Sequence, residues 1–381
     1  PVEGASPEPV EGASPEPVEG ALSAVTYSYE PSGRLETVSD GTDTFTYAYV
    51  AKSNLVDEIR VASRSFVGKK EYESNRDLMT RVHNQVSGKR LSRYDYTYDA
   101  LGRRADRTQS GSAFAGKNKD SFAYNKRSEV TGSSSDAFTA DAHNPTYTYD
   151  PIGNRKTSTG NDTVTYTSNQ LNQYSAITLD PEPVEGAPSA VNPTYDEDGN
   201  LTSDGTWTYT WNGENRLSSA TNGTKTLTFT YDYQGRLVRK TQSTENEQTE
   251  NGATEEDFVY VYDGWNRIAS FTLQTSHLTL HASYLWGLDL SGTLQGAGGI
   301  GGLLRESEFD SNSQLQTSHF CLYDANGNIT QKLDAIGNVV MNVAYDPFGN
   351  VISGSLTGEY GFSTKPFVDG LDWYYYGFRY Y

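Results

Sequence analysis

One short word constrains this chain more than any other feature. A Tyr, an Asp, two variable residues and a Gly follow one another at Tyr98, Tyr149, Tyr195, Tyr231, Tyr323 and Tyr345. The fourth residue after the aromatic is thus Gly102, Gly153, Gly199, Gly235, Gly327 or Gly349. In Asp150-Pro151-Ile152-Gly153 each choice suits a type I turn, with Asp first, Pro second and Gly fourth. The Asp side chain accepts from backbone N–H groups two residues on, and Pro presets φ. Gly takes the left-handed conformation without a Cβ clash. A type I turn followed by a left-handed residue is the three-residue hairpin loop with a bulge. Tyr147 and Tyr149 lie two apart and face one way on a strand. The word therefore reads as strand, tight turn, strand.

Its degenerate copies support that reading. "YEPSGRL" keeps Pro31 and Gly33, "WNGENRL" and "YDGWNRI" place Asn215 and Asn266 at the Gly position, and "YNKRSEV" places Ser128 there. Asn is the next residue after Gly to tolerate positive φ, so the position selects a backbone conformation rather than a functional group. On this basis Gly349→Ala is expected to destabilise by about 1 kcal/mol or more, with Asn tolerated far better. The rival role for repeated acids such as Asp324 and Asp346 is calcium binding. That needs carboxylates clustered in one short loop, and each turn offers one.

Only 35% of the chain is hydrophobic, yet it holds 28 Tyr and 36 Gly, so Tyr must carry much of the burial, with each hydroxyl seeking a partner. The net charge of −19 argues against nucleic acid or an anionic membrane as partner. The single Cys321 excludes a disulfide framework within the chain. No apolar run is long enough for a transmembrane helix, and no signal peptide is visible. The chain starts at Pro1 with only Met79 and Met341, which reads as a fragment.

Residues 1–21, "PVEGASPEPVEGASPEPVEGA", are low-complexity and are expected to form a disordered Pro/Glu-rich tail. The same unit returns at 181–187 inside an expected loop insertion spanning 180–193, and the acidic, polar stretch 241–257 reads as a second inserted loop. Everything else from residue 22 to 381 is strand after strand, with no convincing amphipathic helix, so the expected class is all-β.

Candidate chemistry is sparse. "GAGGIG", Gly296 to Gly301, fits the dinucleotide spacing but lacks a following helical pattern; close backbone packing is the simpler reading. His277 and His281 are four apart in a segment that alternates like a strand, without a supporting Cys or Glu cluster. No G-x-S-x-G elbow occurs. Asp369 and Asp372 near the C-terminal end read as turn residues in "VDGLDW" rather than as an acid–base pair. No catalytic, cofactor-binding or metal-binding residue is assigned, and no cofactor is expected.

"YDPIGNR", "YDANGN" and "YDPFGN" resemble YD repeats. "YLWGLDLSGTLQGAGGIGGLL", then "YDANGNITQKLDAIGNVVMNVAYDPFGN" and "FSTKPFVDGLDWYYYGFRYY", resemble the core of bacterial RHS-repeat proteins, over nearly all of residues 22–381. That family includes polymorphic toxins, shell components of insecticidal toxin complexes and wall-associated proteins, and the teneurin receptors share the repeat. The resemblance implies an antiparallel sheet of YD-repeat hairpins that spirals into a hollow β-shell, enclosing a C-terminal toxic domain freed by aspartate self-cleavage. The family's core continues past "YYYGFRYY" into the cleavage segment, so this sequence reads as truncated before the cleavage site.

Two functions follow from that resemblance. The first is a non-enzymatic structural segment of a secreted or surface RHS shell, whose partner would be a toxin cargo encoded downstream. The second is an extracellular adhesion module that holds glycan or a cell-surface protein, with Trp211 and Trp265 as candidate stacking residues.

Overall fold

The computed structural model describes residues 23–136, 144–160, 162–180, 190–245, 253–275 and 277–381. The chain is an antiparallel ribbon in which each strand pairs with the one before it and the one after it. A 15-stranded sheet runs from Thr26–Tyr29 to Ala190–Val191, and a 13-stranded sheet from Thr194–Tyr195 to Val339–Asn342. The break falls at Asn192-Pro193, where Pro193 has no N–H to give the ladder. Helical structure among the described residues is limited to two single 3₁₀ turns, Ala62–Arg64 and Phe362–Thr364, and no helix there is long and apolar enough to cross a membrane.

The repeated word forms the turns along one edge of the ribbon. Asp150 Oδ1 accepts from the N–H groups of Ile152, Gly153 and Asn154 at 3.0, 2.8 and 2.9 Å, and its other oxygen accepts from the Asn154 amide at 2.8 Å. Gly153 has φ +104°, and Asn215 and Ser128 take φ +57° and +67° at the same position. The residue after the Gly thus clamps the Asp: Asn200, Asn328 and Asn350 repeat the amide contact, while Arg103 and Arg236 replace it with a guanidinium. The Asn200 amide holds the Asp196 carboxyl below its usual range. Both oxygens of these carboxylates are thus engaged within the turn itself.

One copy departs from expectation. In "YDGWNRI" the strand Ala253–Asp263 reaches Asp263, which pairs directly with Asn266 of the strand Asn266–Gln274. The loop is therefore only Gly264-Trp265, with the positive φ, +57°, at Gly264. Asn266 is an ordinary strand residue, because a two-residue hairpin with Gly first removes the need for a left-handed residue at that position.

The expected loop insertions are narrower than the sequence implied. Asp180 ends the strand Tyr174–Asp180, and Ala190–Val191 pairs back onto it. The strand Leu237–Glu245 pairs with Ala253–Asp263, so 241–245 and 253–257 belong to the ladder. Polar strands with one solvated face look like loops when only hydropathy is read. The tail 1–21, the unit at 181–187 and residues 246–252 lie outside the described residues.

Tyr is abundant for a reason visible at the same edge. The aromatic before each turn sits where the register shifts, and its polar tip reaches the preceding turn. Tyr49 Oη donates to Leu35 O at 2.6 Å, Tyr72 to Val56 O at 3.0 Å, Tyr149 to Val130 O at 2.7 Å and Tyr231 to Leu217 O at 2.9 Å. Trp211 and Trp286 do the same with their indole N–H groups, to Leu201 O at 2.7 Å and Arg267 O at 2.6 Å. Except at Arg267, the second residue of its strand, the accepting carbonyl belongs to the first residue of the strand leaving the previous turn. Where Ser168 stands in place of the aromatic, Tyr174 on the opposing strand accepts from Arg155 N–H at 3.1 Å. A Phe would fill the space but leave the carbonyl without its donor. Tyr49→Phe is therefore expected to cost about 1 kcal/mol in a urea unfolding series; an unchanged midpoint would show that the hydroxyl contributes only solubility.

The ribbon curls until it meets itself, as successive strands twist in one sense. The Tyr47 hydroxyl accepts from Leu288 N–H at 3.2 Å, Tyr96 accepts from Ala325 N–H at 3.0 Å, and Tyr94 donates to Thr330 Oγ1 at 2.9 Å. These partners are 241, 229 and 236 residues apart, and other contacts across the seam range from 221 (Arg104 to Ala325) to 271 (Arg64 to Ala335). The seam between turns is apolar, with Phe45 and Phe66 of the first sheet packed on Phe320 of the second. At its rim Arg305 pairs with Asp40 and, at 2.8 Å, with Asp43, which also receives Arg64 at 2.7 Å.

Candidate functional site

The ladder ends at the strand Val351–Ser353, and residues 354–381 become a strap laid across the second sheet. Its sequence explains why it leaves the sheet. Gly354 has φ +79°, and a Cβ there would lie 2.1 Å from Asn342 O, so the chain turns where only Gly fits. Val368, Leu371 and Tyr375 then bury themselves against Leu217, Leu227 and Leu237 of the sheet.

Polar contacts fasten the strap. The Thr364 hydroxyl accepts from Gly301 N–H and donates to Gly327 O, both at 2.7 Å, tying the Gly-rich loop 287–302 to the turn at 324–328. Ser363 N–H donates to Asn328 Oδ1 at 2.9 Å, and Lys365 Nζ to Gly298 O at 2.6 Å. Leu237 N–H donates to the Tyr375 hydroxyl at 2.9 Å. Two buried cations complete the attachment. Arg267 pairs with Glu359 of the strap, and Lys332 pairs with Glu306 while donating to Thr357 O.

The Lys332–Glu306 pair is the most deeply buried ionic contact, at 0% and 2% exposure. Burial pushes the Glu306 carboxyl up to about 7 against the opposing pull of Lys332. One carboxylate oxygen of Glu306 has no hydrogen-bond partner. A Cβ on Gly358 would sit 1.7 Å from the other, so the strap presses on the pair. Nearby, burial lowers the His319 imidazole and raises the Cys321 thiol, leaving the one neutral and the other unreactive near neutral pH. Together these contacts fasten the strap to the sheet.

The residues weighed from sequence fall elsewhere. In Gly296–Gly301 the N–H groups of Ala297 and Gly299 point at the chain's own Asp289, at 2.6 and 3.1 Å, and a strand follows instead of a helix. The anion position of a phosphate-binding loop is thereby filled by a carboxylate. His277 and His281 share the strand His277–Trp286, and His281 packs edge-on against Phe258. Asp369 and Asp372 stand at a turn of the strap; the Asp369 side chain is 84% exposed, 3.7 Å from Lys225. Among the described residues no three His, Cys, Asp or Glu side chains are placed to hold a metal ion. The buried Glu306, Lys332 and Arg267 went unremarked in the sequence. Their only signal there is a charge within a strand, and that signal is common on solvated strands.

No protein-family model matches the chain. It is 26% identical over 248 residues to the tRNA nuclease WapA of Bacillus subtilis strain 168, and 27% identical over 248 residues to the tRNA3(Ser)-specific nuclease WapA of Bacillus spizizenii. Each match takes in 62% of this chain but 9% of the relative, so the chain spans less than a tenth of their length. Among solved structures, TcdB2-TccC3-TEV superposes with a TM-score of 0.71 at 17% identity, covering 94% of this chain and 19% of that one. The Photorhabdus luminescens Tc holotoxin pore carrying the TccC3-D651A mutation gives 0.65 at 16% identity, with the same coverage.

Proposed function

This chain has the shell fold of RHS/YD-repeat proteins, and from that premise we propose that it is an encapsulating wall segment of a toxin-type RHS protein, working outside the cell or at its surface. The observation that carries the proposal is the seam. Two turns of one ribbon lie side by side through apolar packing and paired charges, and that is how a wall is built. The relatives' nuclease names supply the class of cargo: a nucleic-acid-degrading domain that such a wall keeps from its surroundings. Residues 22–381 act as one shell segment, with 1–21 as an appended tail. The strap fixes where the polypeptide leaves the wall.

The wall itself performs no chemistry in this reading. Incubated from pH 5 to pH 7.5, the purified chain is expected to keep a single mass. A discrete fragment abolished by Asp369→Asn or Asp372→Asn would overturn that. The containment test uses the full-length gene product: a downstream domain should resist protease until the wall is unfolded, and digestion at the rate of the free domain would refute the proposal. The adhesion reading loses Trp211, whose indole is consumed by the ladder, and retains Trp265.

A further inference from the structure

An aromatic cavity of about 260 Å³ opens where the strap crosses the hairpin Gly264-Trp265. Its walls include Tyr262, Trp265, Trp286, Tyr376 and Phe378. Trp265 and Phe378 pack at the rim with centroids 4.8 Å apart, yet remain 40% and 59% exposed. Gly377, at φ +87°, brings the strap close enough that a Cβ would sit 3.3 Å from the Trp265 ring. Trp286 at the back of the cavity is covered, whereas Trp265 and Phe378 at the rim keep faces open to solvent.

Cations line the same cavity or back its walls. Lys365 lies 5.7 Å from the Tyr376 ring, and Arg216 lies 4.4 Å from the Phe378 ring. Arg267 contributes to the lining at only 4% exposure, and its Nε has no hydrogen-bond partner even though its terminal nitrogen holds Glu359. That nitrogen is closed off from the cavity, and the guanidinium is stacked 3.7 Å from the Tyr260 ring, so Arg267 backs the wall as a fixed positive charge. Lys365 spends one proton on Gly298 O, and an ammonium has three donors. Burial lowers Lys365 to about 8, which a neighbouring carboxylate would reverse.

We propose that this cavity binds a single acidic pyranose, a hexuronate-type sugar residue. The aromatic faces stack on the apolar face of the ring, and Lys365 takes the carboxylate, with the buried Arg267 adding positive charge behind the wall. The volume lies just below the roughly 300–1,000 Å³ of pockets for drug-sized ligands, which suits one ring rather than an oligosaccharide. The site stands independently of the wall reading.

The probes are methyl glucuronide, methyl glucoside and acetate, titrated into the whole chain by calorimetry or ligand-observed NMR. The glucuronide is expected to bind about tenfold more tightly than the glucoside, one charge-assisted contact's worth, and acetate is expected not to displace it. Trp265→Ala should weaken binding about fivefold or more, and Lys365→Met should erase the preference for the acidic sugar. Phe378→Ala at the exposed rim repeats the first test should Trp265→Ala unfold. Absence of glucuronide binding, equal binding of glucoside, displacement by acetate, or indifference to both rim variants would each overturn the proposal.

Discussion

Replacing Lys332 by Met is expected to destabilise the fold by about 3–5 kcal/mol at pH 8 and by much less at pH 5, because removal of one partner strands the other as a buried charge. The sign follows from Glu306. Its carboxyl is raised from the usual 4.5 to about 7 by burial, so its contribution to stability is fully present below about pH 4.5 and is lost as pH rises through 7. Lys332 opposes that rise, and without it the folded-state value climbs further. The deficit of the variant therefore widens from acid to alkali. Glu306→Gln should flatten the stability of the wild-type chain between pH 4.5 and 7, since a neutral amide does not titrate there. Urea unfolding at pH 5, 6.5 and 8 measures both. An equal deficit for Lys332→Met at all three would mean that lost packing, and not a stranded carboxylate, accounts for it.

Gly33 and Gly349 occupy the same place in the repeated turn, yet their substitutions are expected to diverge. At Gly33, φ is +84° and a Cβ meets nothing within 4 Å, so Gly33→Ala should cost about 1 kcal/mol and Gly33→Asn only a few tenths. At Gly349, φ is +94° and a Cβ would lie 2.6 Å from Cδ1 of Phe362, a residue of the strap. Ala and Asn alike should then cost about 2–4 kcal/mol, the sum of backbone strain and overpacking. The tolerance of Asn at Gly349 expected from the turn alone is therefore withdrawn: the strap, 13 residues further on, decides it. Thermal unfolding of the four variants checks the ranking, and near-neutral Gly349→Asn would show that Phe362 swings aside.

The same division holds across the molecule. Turns were legible because their chemistry is local: Asp, Pro and Gly act within four residues, and Gly153 with Asp150 behaves as those preferences dictate. The all-β class was legible for the same reason, since each hairpin declares itself by its own alternation. "YDGWNRI" failed because Gly264 offered a shorter loop with equally good local chemistry, and pairing of Asp263 with Asn266 settled the choice. Strands such as Leu237–Glu245 were misjudged at their polar ends because ladder hydrogen bonds, rather than side-chain hydropathy, hold them.

The need of each Tyr hydroxyl for a partner was readable, but the partner was not. It lies 14 to 25 residues back, on a carbonyl whose position depends on sheet register. The candidate site was less legible still. Arg267 meets Glu359 only after the strap has crossed the sheet, 92 residues further on, and Lys332 meets Glu306 only once the register across the intervening strand is set, 26 residues apart. By itself the sequence determined the repeating unit, its turn and its edge, because those depend on neighbours along the chain. The tertiary structure alone decided the seam, the buried charges and the aromatic cavity, because each depends on how strands and strap far apart in the chain come to lie against one another.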